Sequence, residues 1–528
     1  MIDARTFTGP TEIECDLCIV GAGAAGITLA LKLAQPGRRI VVLESGGLTL
    51  DGDTQALYKG HTTGQPYYNL TSCRLRYFGG TTNHWAGYCS LPRRIDFESR
   101  PEIGLPSWPV SYDEVMPWIA QAAAQLGIDP SRLDPFASPE ATQGDLSLAI
   151  DDESDIVRTQ FAIKSLPKNR RFNARFRDEM ASLPDTDVFL YANLTHIGMA
   201  DNGSTVKSLT VKTLTGKELS IRPRAAVLAC HAIESARLLL ASNDVITAGI
   251  GNAGDQVGRN FMDHIRVQAG RIVANPQRSL DFYFNDMITP EAERQVWTLL
   301  ELEDETLRTN SMLQYACSLR PRYDPALEQA RDAGSRLAKG FFEPFDLQMA
   351  TDVGTLLSYP VSTATNFAAR LGMSDRQPVY FEIIHHIAQA PNPSSRITLT
   401  GERDALGVPI VSLHWALSDA DFHTFVRGQE LFTAELSALG LGRFASEPIT
   451  RAFVEQDVLG IYHHMGTMRM SASPHAGVVD ANCRVHGTDN LFVAGSGIFP
   501  AGTASGPTMF LIAFALRLAD HLDTKVLI

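Results

Sequence analysis

A glycine-rich turn near the start of the chain restricts the fold more than any other feature. The apolar run Leu17–Val20 predicts a buried strand, and Ile27–Leu33 predicts an apolar helix. The six residues G-A-G-A-A-G lie between them. In such a turn Gly21 permits the tight bend, Gly23 lets the backbone approach a pyrophosphate, and Gly26 allows the helix to pack closely on the strand. Glycines also occur in ordinary strand–helix turns, so the residues that follow must decide.

A second strand that ends in an acidic residue favours a nucleotide-binding turn over an ordinary one. Ile40–Leu43 is apolar and is followed by Glu44, whose carboxylate can accept hydrogen bonds from a ribose diol. The N-terminus of the intervening helix offers unpaired N–H groups and a positive dipole end to phosphates. Strand, turn, helix, strand and acid in this order predict a dinucleotide site.

Length and charge exclude several classes of protein. A chain of 528 residues is too long for one core, so two or more domains are expected. The net charge of −13 argues against a nucleic-acid or anionic-membrane partner. The N-terminal residues lack a secretion signal, and the apolar stretch Met509–Leu516 is too short to span a bilayer. We therefore expect a cytoplasmic protein.

The cysteines are also typical of a cytoplasmic protein. There are seven, an odd number, which favours reduced thiols. Cys15 and Cys18 form a C-x-x-C on the first strand, where residues three apart point to opposite faces. Since no second C-x-x-C follows, we predict two buried core thiols and no metal site.

Two further segments favour contact with a ligand. The stretch from Gly79 to Trp85 has paired glycines followed by small hydroxyl residues and an aromatic, which is typical of backbone lying against a flat ligand. Near the C-terminus, Pro507 fits the first turn of the last helix, where a missing N–H costs nothing. The start of that helix is suited to stabilising a ligand that becomes anionic.

The remaining strands indicate how the domains are divided. Val188–Tyr191, Val206–Leu214 and Glu218–Arg222 predict a small sheet. Ala225–Ala229 predicts another buried strand before a helix that begins with Ile233–Leu240. This last pair belongs with the first nucleotide unit, so the Rossmann domain is expected to be discontinuous.

A separate substrate-covering domain is expected in the second half of the chain. Strand character appears at Val379–Ile387 and Arg396–Leu399, and Asp419–Leu439 predicts an amphipathic helix.

Taken in order, the motifs resemble those of the glucose–methanol–choline (GMC) flavin oxidoreductases, in particular the bacterial sugar and alcohol dehydrogenase or pyranose oxidase-like branch. Each motif is weak alone, but their joint order is specific. Besides the two nucleotide motifs and the Gly79–Trp85 loop, they are Ala229…Ile233-Glu234…Arg237, Val257-Gly258-Arg259…Asp263-His264, Pro391-Asn-Pro-Ser-Ser-Arg396, His463-His-Met-Gly466-Thr467 and Pro507-Thr508.

The resemblance implies FAD as cofactor and an alcohol as substrate. It implies that His463 is the base, a neutral imidazole that takes the hydroxyl proton while the carbinol hydride passes to flavin N5. His464 is interpreted as structural, because neighbouring side chains on extended backbone point opposite ways. The same alternation separates His385 from His386, and contact with substrate stays open for either.

The resemblance also implies a set of site residues and a division of the chain. The FAD-binding domain is expected over 10–50, 195–268 and 455–528, the flavin-contacting loop and lid over 51–106, and the substrate-binding domain over 107–194 and 269–454. The fold class is α/β, with a discontinuous Rossmann-type domain and an α+β domain whose sheet is mostly antiparallel. Expected catalytic residues are His463, Ser505 and Gly506; expected cofactor-binding residues are Gly21, Gly23, Ala24, Ala25, Gly26, Glu44, Ser45, Arg76, Gly79, Gly80, Asn83, His84, Trp85, Thr195, Ala229, Gly495, Ser496, Pro507 and Thr508.

His84 raises the question of a covalent flavin. In pyranose oxidase-like and choline oxidase-like members, a histidine in this loop is bonded to the flavin 8α carbon. Many bacterial relatives carry Asn-His-Trp without the bond, so noncovalent FAD with His84 packed beside the flavin is preferred.

The chain departs from the family pattern at Gly506. The family usually has Asn or His just before the Pro-Thr of the last helix, and glycine cannot donate a hydrogen bond to the substrate oxygen. Ser505, Thr503 or a water could replace that donor, or the space could admit a bulky substrate. The segment Cys230-His231-Ala232 is a second departure.

The leading hypothesis is an FAD-dependent dehydrogenase or oxidase of an alcohol, with a sugar, glycoside or other bulky polyol as substrate and O₂, a quinone or another electron acceptor. The alternative is a non-redox flavoprotein, a lyase or isomerase, on the same fold. An NAD enzyme is disfavoured, because the Gly79–Trp85 loop and the C-terminal motifs would have no role.

Overall fold

The computed structural model describes residues 1–134, 150, 153–278, 280, 283, 287–288, 295–339, 347–370, 378–445 and 448–528. Parts of the predicted substrate domain lie outside these ranges. The strands are β1 (Ile2–Asp3), β2 (Glu12–Val20), β3 (Ile40–Leu43), β4 (Gly60–Gly64), β5 (Tyr88–Cys89), β6 (Val157–Lys164), β7 (Thr186–Leu190), β8 (Asn193–Met199), β9 (Val206–Lys212), β10 (Glu218–Leu228), β11 (His264–Ala274), β12 (Met287–Ile288), β13 (Gln295–Leu302), β14 (Tyr315–Arg322), β15 (Tyr380–Ala388), β16 (Arg396–Arg403), β17 (Pro409–Trp415), β18 (Gly442–Ala445), β19 (Leu459–Gly460) and β20 (Leu491–Val493).

Helices connect and cover these strands. They are α1 (Ala24–Leu33), α2 (Gly52–Ala56), α3 (Tyr112–Gln125), α4 (Pro167–Arg170), α5 (Phe172–Arg175), α6 (Arg177–Ala181), α7 (Ala232–Ala241), α8 (Asp304–Thr309), α9 (Pro325–Lys339), α10 (Leu347–Ser358), α11 (Pro360–Arg370), α12 (Asp419–Ala438), α13 (Arg451–Asp457) and α14 (Pro507–His521). None of those within the described ranges has the length and apolar character needed to cross a membrane.

The first sheet has the strand order β1-β7-β3-β2-β10-β9-β8. At its centre β2 pairs in parallel with β3 and with β10, and every residue of Leu17–Val20 is buried or nearly so. Fully buried parallel strands read as continuous apolar runs, which is why this unit is visible in the sequence. Helix α14 packs against both α1 and α3, so the end of the chain completes the layer that covers the first helix.

Two details of this sheet differ from the sequence prediction. Strand β10 is one continuous strand over the two predicted segments, although Pro223 lies in it. Pro223 falls where the partner on one side changes, because β9 pairs with β10 as far as Ile221 and β20 takes over from Ala226. A missing N–H is tolerated at such a gap. Strand β7 pairs in parallel with β3, and β9 pairs with β10, so the three segments predicted as a small sheet all lie in this sheet.

The second sheet is antiparallel, in the order β18-β11-β15-β14-β13-β6-β5. Helix α12 covers one face, where Gly428 lies so close to Tyr315 that a Cβ would meet the ring at 2.3 Å. The opposite face is turned towards the start of α14, since Gln160 of β6 donates a hydrogen bond to the carbonyl of Ala504. The α/β fold with a mostly antiparallel second sheet was predicted, and it is confirmed.

A small third sheet joins distant parts of the chain. Strand β17 pairs with β16 and, in parallel, with β4, which follows the first nucleotide unit. Trp415 at the end of β17 is fully buried, and its indole N–H donates to Gln389.

Candidate active site

The three motif glycines have different surroundings. A Cβ on Gly26 would lie 1.8 Å from the carbonyl oxygen of Gly21, so only glycine permits this helix–turn contact. Gly21 has a φ of +102°, and its ideal Cβ would lie 2.7 Å from the oxygen of Ala229. A Cβ on Gly23, in contrast, would meet no protein atom within 4 Å. The free space beside Gly23 lies at the N-terminus of α1, where phosphates bind well.

Gly23 borders a large cavity. The cavity, together with its open mouth, encloses about 1070 Å³ of empty space. Thirteen of the expected cofactor-binding residues line it: Gly21, Gly23, Ala24, Ala25, Glu44, Ser45, Arg76, Gly80, Trp85, Ala229, Gly495, Ser496 and Thr508. Six do not: Gly26, Gly79, Asn83, His84, Thr195 and Pro507.

Glu44 is held rigidly at the end of β3. Its two carboxylate oxygens accept hydrogen bonds from the backbone N–H groups of Ala22 and Gly46, each at 2.9 Å. The residue is buried, and this burial raises the pKa of the carboxyl although the backbone N–H groups act against it. Each oxygen keeps a lone pair that can accept a further hydrogen bond from a ligand.

The Gly79–Trp85 loop lies across the glycine turn. The N–H of Gly79 donates to the carbonyl of Ala22 at 2.8 Å, and the side chain of Asn83 donates to Phe78. Asn83 thus stabilises the loop without lining the cavity. His84 is exposed and lies outside the cavity lining, whereas Trp85 lines the cavity. The covalent bond at His84 and the noncovalent preference both stay predictions.

A buried cluster of charges lies at one wall of the cavity. Glu234 of α7 forms ion pairs with Arg74, Arg76 and Arg237 at 3.2–3.3 Å. Burial alone would raise the pKa of Glu234, but the three guanidinium groups lower it to about 2. Arg76 is among the expected cofactor-binding residues, whereas the local sequence gives Arg74 no role, because its partner Glu234 lies more than 150 residues away.

The cavity fits a dinucleotide. The space beside Gly23 would be filled by a Cβ, as expected where backbone faces a phosphate. Arg76 lines the cavity, and its buried Nε has no hydrogen-bond partner among the described residues. Buried polar groups are normally paired, so this donor indicates an acceptor on a bound ligand.

A pair of histidines, outside the cavity lining, lies next to the segment that precedes α14. Nδ1 of His463 is 2.9 Å from Nδ1 of His264, the first residue of β11. Nε2 of His264 lies 2.6 Å from the carbonyl oxygen of Thr503, just before α14. Burial, with His264 and His464 nearby, holds the pKa of His463 well below that of an ordinary histidine. His463 is therefore neutral at neutral pH.

Asp263 fixes the backbone of this histidine. Its carboxylate accepts hydrogen bonds from the N–H of His463 at 2.8 Å, the N–H of Tyr462 at 3.1 Å and the hydroxyl of Tyr67 at 2.6 Å. The residue is fully buried, which raises the pKa of the carboxyl to about 6 despite these bonds. Asp263 lies in one of the family motifs, but the sequence alone gives it no role.

Gly506 directly faces the imidazole of His463. An ideal Cβ at Gly506 would lie 3.6 Å from Cε1 and 4.0 Å from Nε2 of His463, and 3.7 Å from the carbonyl oxygen of Tyr88. The space next to Gly506 is therefore narrow and bordered by the ring. Ser505 is buried with its hydroxyl 3.2 Å from that of Thr503.

His464 contacts a different histidine from its neighbour. Nδ1 of His464 is 3.0 Å from Nε2 of His231, and Nδ1 of His231 accepts a hydrogen bond from the N–H of Ile233 at the start of α7. His231 adopts a φ of +79° and lines the cofactor cavity. Burial lowers the pKa of His231 to about 3, so it too is neutral.

The antiparallel sheet turns a polar wall towards the same place. Directly paired residues of antiparallel strands share a face, and the register places Arg266 opposite His386 on the face that carries His264. Trp297 is edge-on to His386 at 6.3 Å, and Ser318 is hydrogen-bonded to His386 at 2.8 Å. We define the polar wall as Tyr88, Gln160, Arg266, Trp297, Ser318 and His386.

His385 lies on the other face of this sheet. Its Nδ1 is 2.5 Å from the hydroxyl of Tyr315, and its Nε2 lies 2.9 Å from the carbonyl oxygen of Ala269. The side chain is fully buried. Of the two neighbouring histidines, only His386 lies on the face of the site.

Comparison with protein families connects the two ends of the chain. Residues 16–150 match an FAD-dependent oxidoreductase family, and residues 391–515 match the C-terminal domain of a GMC oxidoreductase family.

Individual relatives are distant. A 2-methyl-1,2-propanediol dehydrogenase of Mycolicibacterium austroafricanum is 23% identical over 97% of this chain and 96% of its own. A C-glycoside 3-oxidase of Microbacterium trichothecenolyticum is 35% identical, but over only 23% of each chain. A crystal structure of formate oxidase superposes with a TM-score of 0.58 at 17% identity, covering 98% of this chain and all of that one, which shows a shared fold.

Proposed function

Because this chain is a GMC-type, FAD-dependent oxidoreductase acting on CH–OH groups of alcohols or sugars, we propose that it oxidises a sugar, glycoside or other bulky polyol with His463 as base. The observation that carries the proposal is a neutral imidazole bordering the narrow space between Gly506 and the polar wall.

The environment of His463 supports its role as base. A general base must be unprotonated at the working pH and placed within hydrogen-bond reach of the hydroxyl. The low pKa meets the first condition, and the hydrogen bond from its backbone N–H to Asp263 fixes the position of the residue. The substrate hydroxyl donates its proton to Nε2, the nitrogen on the side of Gly506.

The start of α14 contributes electrostatic stabilisation of the substrate oxygen. Gly506 is the N-cap of this 15-residue helix. The positive end of the helix dipole lies where negative charge develops on the substrate oxygen as its proton leaves. This contribution replaces part of what the missing Asn or His side chain would provide.

The polar wall supports a polyhydroxylated substrate. The Trp297 and Tyr88 rings, 5.3 Å apart, offer apolar surface to the C–H groups of a sugar. Arg266, His386 and Gln160 offer donors and acceptors to its hydroxyl groups.

FAD, when bound, accepts the electrons of the oxidised carbon. The residues that would hold it are those of the glycine turn for the pyrophosphate and Glu44 for the ribose. Gly80 and Trp85, with Gly495 and Ser496, would hold the ring system. The chain's own contribution is to bind and orient FAD and to supply His463 as the base.

The test is anaerobic mixing of the holoenzyme with candidate polyols while the flavin absorbance is followed. We expect a substrate to bleach the flavin in the wild type. His463→Ala should bind FAD normally but bleach at least about 10²-fold more slowly, the usual contribution of a positioned base. His475→Ala, which changes an exposed histidine, is the matched control and should behave as wild type.

Two results would contradict the proposal. Bleaching at an unchanged rate in His463→Ala would show that another group takes the proton. Product formed in the wild type without any bleaching would show non-redox chemistry.

A further inference from the structure

We infer that His264 is a positioning residue that fixes the tautomer of His463: it accepts a hydrogen bond from Nδ1–H of His463, which leaves Nε2 of His463 free to take the substrate proton. This inference rests on the proposed role of His463. It adds the reason why that imidazole presents a lone pair rather than an N–H to the substrate.

The assignment follows from a chain of hydrogen bonds that begins at a carbonyl. The oxygen of Thr503 can only accept, so Nε2 of His264, 2.6 Å away, carries a proton and donates it. A neutral imidazole has one N–H, and His264 is buried with a lowered pKa. Nδ1 of His264 is therefore an acceptor.

The next bond in the chain is then determined. Nδ1 of His463 lies 2.9 Å from the acceptor Nδ1 of His264, so Nδ1 of His463 must be the donor. Since His463 is neutral as well, its Nε2 carries no proton. That nitrogen lies on the side of the ring that faces Gly506.

The groups around His463 favour this state. The charged or titratable groups that face its ring or backbone are His264, His464 and the carboxylate of Asp263, and Asp263 accepts from the backbone N–H rather than from the ring. Among the described residues, only His264 forms a hydrogen bond with Nδ1 of His463. The tautomer of His463 is thus set by its hydrogen bond to His264.

The neighbouring histidine shows the opposite arrangement. The N–H of Ile233 can only donate, so Nδ1 of His231 accepts and its Nε2–H donates to Nδ1 of His464. His464 consequently keeps its proton on Nε2, a buried nitrogen without a partner among the described residues. Two adjacent histidines therefore carry opposite tautomers, each fixed by a second histidine.

This difference can be measured directly by ¹⁵N NMR of holoenzyme labelled at histidine, without turnover. Protonated and unprotonated ring nitrogens have well-separated ¹⁵N shifts. We expect His463, assigned by its loss in His463→Ala, to show a protonated Nδ1 and an unprotonated Nε2, and His464 to show the reverse. An unprotonated Nδ1 in wild-type His463 would overturn the inference.

Two substitutions of His264 separate positioning from mere space filling. In His264→Asn the amide oxygen can take the place of Nδ1 and accept from His463. In His264→Gln the amide takes the place of Nε2 and can bond only to Thr503. We expect His264→Asn to keep the tautomer of His463 and most of kcat. His264→Gln should release the tautomer and lower kcat roughly 10²- to 10⁴-fold, with little change in KM.

The outcomes remain distinguishable from failure of the proposed function. If His463→Ala retains turnover, the base assignment fails, but the wild-type spectrum still decides the bond to His264. If His264→Asn and His264→Gln lose kcat equally while the His463 tautomer is unchanged, His264 is only structural. His231→Asn, whose oxygen can still cap Ile233, is the spectral control and should change the tautomer of His464 alone.

Discussion

Two glycines three positions apart show how differently the same residue type is used. Gly26 faces protein, since its ideal Cβ would lie 1.8 Å from the backbone oxygen of Gly21. Gly23 faces the cavity, since its ideal Cβ would meet no protein atom within 4 Å. One glycine is required by the fold and the other by the ligand.

This difference predicts opposite effects of alanine. Gly26→Ala forces backbone apart and should cost about 1–3 kcal/mol or more of stability, lowering the Tm of the apoprotein by several degrees. Gly23 has a φ of −86°, which alanine can adopt, so the Tm of the Gly23→Ala apoprotein should be unchanged. The methyl group of the new alanine occupies space in the cavity that the ligand needs. The Kd for FAD should therefore rise about tenfold, the equivalent of 1.4 kcal/mol.

Differential scanning fluorimetry of the apoproteins and FAD titration followed by flavin fluorescence measure the two effects. The glycine assignment is wrong if Gly23→Ala destabilises the apoprotein as much as Gly26→Ala does.

At the same scale, the sequence could identify functional residues that lie within a recognisable local motif. The turn glycines and Glu44 lie within one strand–turn–helix–strand unit, and His463 lies in a recognisable motif. The partners His264 and His231 could not be assigned, because each meets its histidine across about 200 residues of chain. Contacts at such separation leave no local pattern.

At the scale of elements, Asp263 connects the start of β11 with residues 461–463. It accepts two backbone N–H groups and the hydroxyl of Tyr67. Asparagine has the same shape but presents one NH₂ group, which would face a donor. Asp263→Asn should therefore loosen the segment that carries His463 and lower kcat about tenfold or more, while FAD remains bound.

The stability of this variant should depend on pH in a defined direction. The carboxyl pKa is raised from 3.8 to about 6 in the folded protein, so folding takes up a proton between these values. Its stabilising contribution is complete below pH 3.8 and is lost as the pH rises through 6. The loss of stability in Asp263→Asn should thus be larger at pH 4 than at pH 7, by about 3 kcal/mol at most. Urea unfolding at the two values measures this, and an equal loss at both would contradict the raised pKa.

Among the elements, those with a strong local pattern were predicted well. The prediction for β3 matches residue for residue, and that for α12 ends one residue too late. Strand β10 was divided at Pro223, because a proline inside a strand normally ends it and the change of partner there is not encoded locally. The separate small sheet was predicted wrongly for a related reason, since pairing partners depend on the whole fold.

At the scale of the molecule, the cluster around Glu234 ties separate parts together. Arg74 and Arg76 come from the loop after the first nucleotide unit, whereas Arg237 also binds Asp404 and the carbonyl of Pro409 in the third sheet. Removing the central carboxylate leaves buried cations without compensation. Glu234→Gln should cost about 3–5 kcal/mol and weaken FAD binding, because the cluster lines the cavity.

The matched control is Glu12→Gln, which breaks an exposed ion pair with Arg222 and should cost under about 1 kcal/mol. The pKa of Glu234 is lowered to about 2, so its contribution is present above pH 4.5 and is lost as the pH falls towards 2. Chemical denaturation at pH 7 and pH 3.5 should show the difference from wild type shrinking at the lower value. Similar costs for the two variants would mean that the buried cluster is not coupled to stability.

The general architecture could be predicted because buried parallel strands appear as apolar runs in the sequence, and because the motifs follow one another in a recognisable order. The face of the second sheet that meets the site could not, since it depends on the register of strands far apart in sequence. His385 and His386 illustrate this: alternation separates them, but only the pairing with β11 and β14 shows which one faces Gly506.

The cofactor cavity is lined by Gly21–Ser45 at one end of the chain and by Gly495–Thr508 at the other. On a ribosome that adds 5–20 residues per second, the second group emerges roughly 20 to 90 s after the first. During that interval the glycine turn has no opposing wall, and the apolar strands β2 and β3 lack the last helix layer. Flavin uptake therefore belongs to the end of biosynthesis, and protein yield in a cell should depend on chaperones that protect the unfinished N-terminal half.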